Sequence, residues 1–185
     1  DKEKHNFCML GVCSNMRADL EAILPERFIF TEDRAYADYI YLRSDLATLK
    51  GKKFQAKRNH INRFRNTYPD YEYTPITPDR IQECLDLEAE WCKVNNCDQQ
   101  EGTGNERRAL IYALHNFEAL GLTGGILHVN GKIVAFTFGM PINHETFGVH
   151  VEKADTSIDG AYAMINYEFA NRIPEQYIYC LLYTS

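Results

Sequence analysis

A chain of 185 residues with 45% hydrophobic and 25% charged residues carries enough apolar material for one domain plus part of another. That balance excludes a disordered tail, a collagen-like fibre and a coiled-coil rod, and no apolar run approaches the roughly 18 residues of a membrane-spanning helix. The net charge of −6 is unevenly spread: Lys50 to Arg65 holds seven basic residues and no acid, leaving 13 basic against 26 acidic residues elsewhere.

An acidic body with one basic strip points to a localised anion site, since general coating of nucleic acid needs a basic whole. The plainer alternative is a solvated helix face that happens to be basic. The opening Asp1-Lys2-Glu3-Lys4-His5 has neither an initiator Met nor the apolar core of a signal peptide, and reads as a processed end or a fragment. The six cysteines, at 8, 13, 84, 92, 97 and 180, contain no C-x-x-C, and no histidine stands at a zinc-finger offset. Reduced thiols in a cytoplasmic protein without a metal site are the expectation.

In chain order, Phe7 to Val12 is apolar, Met16 to Leu24 has helical spacing, and Arg27-Phe28-Ile29-Phe30 predicts a strand. Ala37 to Leu42 is rich in β-formers and predicts another. Ser44 stands as an N-cap with Asp45 beside the positive end of the following helix. Leu46, Leu49, Phe54, Ile61 and Phe64 share a broken apolar stripe, interrupted at Gly51 and stopping before Tyr68-Pro69. Lys57, Arg58 and Asn59 then lie on or beside one helix.

Tyr71 to Thr74 predicts a strand, and Thr77-Pro78-Asp79 a helix start with a hydroxyl cap, proline at N1 and an acid in the first turn. Ile81, Cys84, Leu85, Trp91 and Cys92 follow a helical period, with Glu88 interrupting their face. Asn95 to Gly104 reads as a loop. A second helix runs from about Asn105 to Leu120 on Leu110, Ala113, Leu114 and Phe117, closed by Gly121.

Asn130-Gly131, between two β-forming runs, is the preferred two-residue hairpin turn because both central positions need positive φ. A third strand, Thr146 to Val151, follows. A helix from about Gly160 to Arg172 has the stripe Tyr162, Ile165, Phe169 and Ile173, and Tyr177-Ile178-Tyr179 begins a further strand. Cys180 to Ser185 stops abruptly and reads as a non-native tail. Residues 70 to 179 therefore spell β-α-α-β-β-β-α-β.

That order resembles the acyltransferase fold of the GNAT superfamily: an α/β (α+β) domain with a mixed, mostly antiparallel sheet flanked by helices. In that superfamily the donor's pyrophosphate rests on a loop of form Q/R-x-x-G-x-G/A at a helix start, the general physics of anions at helix N-termini. The matching stretch here is Ser157-Ile158-Asp159-Gly160-Ala161-Tyr162. Gly160 and Ala161 allow close approach, but the Q/R is absent and Asp159 would repel a pyrophosphate.

A closer likeness covers nearly the whole chain. Tyr39-Ile40-Tyr41-Leu42-Arg43, Lys57-Arg58-Asn59-His60-Ile61-Asn62, Leu122-Thr123-Gly124-Gly125 and His150-Val151-Glu152-Lys153-Ala154-Asp155 resemble the bacterial family named for the C-terminal domain of phosphatidylglycerol lysyltransferase. The likeness implies two GNAT-like halves, as in the aminoacyl-tRNA-dependent peptidyltransferases. Residues 1–67 would be the end of the first half plus connecting helices, and 68–185 the second half, truncated.

The reaction implied is acyl or aminoacyl transfer to an amine or hydroxyl acceptor, either a small molecule or a lipid headgroup. Aminoacyl-tRNA is the implied donor and acyl-CoA the alternative co-substrate. Lys57, Arg58 and Asn59 would contact donor phosphates, with Gly160 and Ala161 as the loop beside them.

His150 and Glu152 alternate with Val149 and Val151, and strict alternation puts both on one face of their strand, where a base or polarising group is needed. Each candidate has a structural alternative: a hydrogen-bonded histidine on a sheet face, Glu88 at a stripe's edge, His128 and Thr137 as ordinary sheet residues. Trp91 and the tyrosines read as core and rim. No Ser-His-Asp arrangement or P-loop appears. A CoA-dependent N-acyltransferase and a non-catalytic binding module on the same scaffold are the rival functions.

Overall fold

The structure is a computed structural model describing residues 7–34, 38–95 and 103–182. Two compact units divide the chain, Asp1–Asp38 and Tyr39–Ser185. The opening pentapeptide, Ala37, Cys97 and most of the loop expected between Asn95 and Gly104 lie outside the described residues.

In the first unit, α1 (Ser14–Ile23) follows Cys13 and buries none of its residues. Phe28 touches Phe7 and Phe30 through tilted ring contacts at 6.4 and 6.3 Å, and Arg17 lies over the Phe30 ring. The strand expected at Arg27–Phe30 does not form. No described strand pairs with this segment, and Ile29 is 97% exposed. β-propensity without a ladder partner leaves irregular chain.

The second unit begins with β1 (Tyr39–Leu42) and α2 (Arg43–Thr48). The helix starts two residues earlier than expected: Leu42, not Ser44, is its cap. Leu49 takes φ 49° and Gly51 φ 95°, so the chain breaks there as the sequence predicts. A 3-10 turn (Lys52–Phe54) leads into α3 (Gln55–Thr67), which stops ahead of Pro69.

After β2 (Glu72–Pro75), Thr77 caps a 3-10 turn (Pro78–Arg80) that runs into α4 (Ile81–Asn95). Next come α5 (Thr103–His115) and the hairpin of β3 (Thr123–Val129) and β4 (Lys132–Pro141). At its tip Asn130 and Gly131 take φ 52° and 75°, the pair of positive angles expected there. β5 (Thr146–Ala154), α6 (Ala161–Ala170) and β6 (Tyr179–Leu182) complete the order.

The six strands make one mixed sheet, β1-β6-β5-β4-β3-β2, antiparallel except for β5 with β6. Cys180, Leu181 and Leu182, read from sequence as a tail, pair with both β1 and β5, and the Cys180 side chain is fully buried.

Alternation along the strands divides the core between two faces. Ile126, Phe136 and Phe138 face α4 and α5, packing with Cys84, Leu87, Leu110 and Leu114. Leu127, Val129, Ala135 and Ala154 face the other way, against Ile61 and Phe64 of α3 and Met164 and Ile165 of α6. Each fully buried Val, Leu, Ile, Phe or Met side chain among them contributes about 1.5–3 kcal/mol by leaving water. α2 and α3 thus belong to the second unit's core.

One irregularity positions the site. Phe138 pairs with Val151 and Gly139 with Val149, leaving His150 as the extra residue of a β-bulge. The bulge resets the alternation. Val149 packs with Phe147 and Phe169 on the α6 face, yet Val151 packs on the α4–α5 face, and Glu152 returns to the α6 face to meet Asn166. The Thr137 hydroxyl, fully buried on β4, donates to the Val151 carbonyl at 2.8 Å and ties the bulge down.

Candidate active site

The pairing of β5 with β6 covers Thr146 to Val149 only. From His150 onward the β5 edge runs along a cleft of about 770 Å³, within the range of small-molecule sites. Its walls carry Lys57 of α3, Glu106 of α5, Val149 to Lys153 of β5, Tyr162, Ala163 and Asn166 of α6, and Leu182 of β6. The cleft therefore wraps the strand edge and is reached from both faces of the sheet.

Glu152 is its central ionisable group. Asn166 Nδ2 donates to Glu152 Oε2 at 3.0 Å. Burial pushes the carboxyl up to about 7, partly offset by the Asn166 bond and by the positive charge of Lys57. A carboxyl that ionises near neutrality inside a cleft is suited to take a proton from an acceptor and return it.

His150 is half-buried, and burial holds its imidazole below the usual value, favouring the neutral ring. It does not share a face with Glu152, contrary to the simple alternation. His150 Cε1 lies 3.5 Å from where a Cβ on Gly148 would stand, on the side away from Phe147 and Val149. The bulge is the reason. The two side chains still meet the same cleft, from opposite sides of the strand.

Of the other expected site residues, Lys57 lines the cleft and four do not. Arg58 turns back to donate to the carbonyls of Leu49 and Gly51, the latter at 2.7 Å, and to Gln55 Oε1 at 2.5 Å. Asn59 accepts from Gln55 Nε2 at 2.8 Å. The helical turn of about 100° per residue explains the separation of neighbours 57, 58 and 59.

Gly160 caps α6 with φ 86° and packs against α3, where a Cβ would stand 2.6 Å from the His60 carbonyl oxygen. Ala161 is buried behind it. The helix start expected to receive phosphate is met by the protein's own carboxylate. Asp159 pairs with His60 Nδ1 at 3.2 Å and accepts from Arg63 Nη1. Those partners, Arg63 first, hold the Asp159 carboxyl below its usual value.

Glu88 is buried and accepts from Arg107 Nε through both oxygens at 3.2 Å, an α4–α5 ion pair away from the cleft lining. The His128 ring is also buried off the cleft, with Nε2 2.8 Å from Glu83. Among the described residues, no three His, Cys, Asp or Glu side chains converge as a metal-ligand set.

Sequence reasoning missed Asn166, Glu106 and Lys153. Asn166 is the lone amide in the apolar run Ala161–Phe169, four residues after Tyr162, and that spacing was the available signal. Lys153 is 5% exposed, its Nζ 3.0 Å from Glu106 Oε1 and 3.8 Å from the centre of the Trp91 ring. Nothing local announces a buried lysine on a sheet face.

A family model described as phosphatidylglycerol lysyltransferase, C-terminal, matches residues 1–182. The crystal structure of a conserved protein of unknown function from Bacteroides thetaiotaomicron VPI-5482 is 99% identical over 97% of this chain and 61% of that one, with a TM-score of 0.91. The C-terminal domain (DUF2156) of a putative lysylphosphatidylglycerol synthetase from Agrobacterium fabrum shares the fold at a TM-score of 0.56 and 15% identity, over 78% of this chain and 45% of that one. A functionally unknown conserved protein from Staphylococcus epidermidis ATCC 12228 does so at 0.51 and 10%, over 78% and 48%. The chain thus spans less than two thirds of each of these structures. No curated protein matches it.

Proposed function

The chain belongs to the family of phosphatidylglycerol lysyltransferase C-terminal domains, and on that premise we propose that its cleft carries acyl or aminoacyl transfer from an activated ester to an amine or hydroxyl acceptor. The observation that supports this most is Glu152, held between Asn166 and the charge of Lys57 and ionising at about 7 in the cleft wall.

In this reading the acceptor's nucleophile attacks the ester carbonyl while Glu152 takes its proton. The new C–N or C–O bond forms, the ester C–O bond breaks, and the proton returns to the departing hydroxyl. Lys57 meets negative charge on the donor or on the developing oxyanion. His150, neutral and on the far side of the strand edge, orients the acceptor.

A donor with its activated group on a ribose ester, as in aminoacyl-tRNA, fits better than acyl-CoA. The start of α6, where a pyrophosphate would rest, is already engaged by Asp159 with His60 and Arg63. No helix among the described residues is long and apolar enough to cross a membrane. In this reading the domain works in the cytoplasm and would meet an acceptor in a lipid headgroup at the membrane surface. The family likeness also supports residues 68–185 as the second of two GNAT-like domains and 1–67 as the end of the first with its connecting helices.

The test is a transfer assay with the full-length protein, charged tRNA, and both amine and phosphatidylglycerol acceptors. Transfer that falls at least about a hundredfold in Glu152→Gln, in keeping with the loss of a general base, supports the reading. Undiminished transfer in that variant removes it. Salt-sensitive tRNA binding without transfer identifies a binding module instead.

A further inference from the structure

Trp91 projects from α4 and Tyr162 from α6, helices that pack on opposite faces of the sheet. Even so, Trp91 Nε1 donates to the Tyr162 hydroxyl at 2.9 Å. Contact between the two faces requires a route around a strand edge. The edge available is that of β5, where pairing with β6 ends at Val149.

The contact belongs to a closed circuit. Lys153, which follows Glu152, places its Nζ 3.8 Å from the centre of the Trp91 ring and 3.0 Å from Glu106 Oε1. Trp91 reaches Tyr162. Asn166, one turn beyond Tyr162 on α6, donates to Glu152. Each step from Glu152 round to Lys153 is a contact between side chains or one turn of helix, and the peptide bond between those two residues closes the ring.

Deepening the assignment of Glu152 as the proton-accepting group, we infer that Trp91 and Tyr162 are positioning residues: their hydrogen bond braces α6 against β5 and keeps water from the Glu152 carboxyl. The mechanism is indirect. Tyr162 lines the cleft beside Glu152, and Trp91 holds it there from α4. A buried lysine on the strand beside it is stabilised by its carboxylate partner and the ring face together, which holds the β5 end of the circuit.

The consequence is a titration that responds to a bond on another helix. Burial is the largest contribution to the raised Glu152 value, ahead of the opposing Asn166 bond and Lys57 charge. A loosened α6 admits water and lowers that value. Lys57 faces Glu152 from α3 and Tyr162 and Asn166 stand on α6. His150 is on its own strand, while Lys153 and Glu106 form a pair on the opposite face. Apart from the Tyr162 hydroxyl itself, none of these is removed by a change that deletes the Trp91–Tyr162 bond.

The experiment titrates the full-length protein labelled with carboxyl-13C glutamate, the Glu152 resonance being assigned by its absence in Glu152→Gln. Trp91→Phe keeps a ring beneath Lys153 and removes the donor; Tyr162→Phe removes only the hydroxyl. Each is expected to lower the Glu152 midpoint by about half a unit to one unit, and the double variant by no more than the larger single effect, because both delete the same bond. The acid limb of kcat/KM moves with the midpoint.

Unchanged midpoints in both single variants overturn the inference, and so does an additive double variant. Shifted midpoints without any transfer activity support the brace while removing the proposed reaction, so the two failures are distinguishable.

Discussion

Asn166 Nδ2 donates to Glu152 Oε2 at 3.0 Å, joining the middle of α6 to the strand segment just past the β-bulge. The bond favours the ionised carboxyl against a burial that opposes it. Asn166→Ala should therefore raise the Glu152 midpoint above about 7. A rise of about one unit cuts the ionised fraction at pH 7 from about a half to about a tenth, roughly a fivefold loss of kcat/KM that is recovered at higher pH. A pH–rate profile of the variant checks it, and a flat loss across all pH assigns Asn166 to something other than tuning Glu152.

The same carboxyl makes the fold pH-dependent. Its value rises from an ordinary 4.5 to about 7 on folding, so the folded chain holds the proton more tightly than the unfolded chain. Between those two values the folded state binds more protons, and stability falls as pH rises. Above pH 7 the full cost is present, about 3 kcal/mol for the rise from 4.5 to about 7 at about 1.36 kcal/mol per unit. Glu152→Gln removes this slope. Urea unfolding at pH 5 and pH 8 should show the wild type losing stability between them by up to that amount more than the variant.

Local patterns in the sequence were sufficient for the hairpin, the broken stripe of α2 and α3, and the order from β2 to β6. Asn130-Gly131 states its turn by itself, and Leu49 to Gly51 states the break. Arg27–Phe30 shows the limit: a β-forming run becomes a strand only where a ladder receives it. The candidate site was legible in composition and not in direction. His150 and Glu152 were singled out, but the face each one takes depends on a register slip against Phe138 and Gly139, residues more than ten positions away. A one-residue slip reverses every later side chain. Lys57, Arg58 and Asn59 failed to act together for a simpler reason, since consecutive helical residues diverge and Arg58 found nearer acceptors in two carbonyls.

Lys57 and Arg58 should consequently separate function from stability. Lys57 is exposed at the cleft and its charge lowers the Glu152 value, so Lys57→Ala should raise that midpoint and weaken substrate binding while leaving unfolding within about 0.5 kcal/mol of wild type. Arg58→Ala strips partners from the Leu49 and Gly51 carbonyls at the left-handed turn, at a cost of about 1–2 kcal/mol, with kcat/KM unchanged at a temperature where the variant remains folded. Paired unfolding and kinetic measurements on both variants decide it; the reverse pattern would place Arg58 on the substrate.

Gly160 and Gly131 both take positive φ, 86° and 75°, but only one of them is crowded. A Cβ at Gly131 meets nothing within 4 Å, whereas at Gly160 it would stand 2.6 Å from the His60 carbonyl oxygen and 3.1 Å from the Phe64 Cβ. Gly131→Ala therefore carries backbone strain alone, about 1 kcal/mol. Gly160→Ala adds a collision with the backbone of α3, which cannot swing aside as a side-chain tip can. The start of α6 must shift away from α3, disturbing the contact of Ala161, Met164 and Ile165 with Ile61 and Phe64. A loss of at least about 3 kcal/mol is expected, in the range of damaged cores rather than strained turns. Because α6 also carries Tyr162 and Asn166, its displacement lowers transfer activity at temperatures where the variant is still folded, an effect Gly131→Ala lacks. Equal destabilisation by the two substitutions would mean that α3 and α6 give way freely at this crossing, and that the cleft's width is set elsewhere.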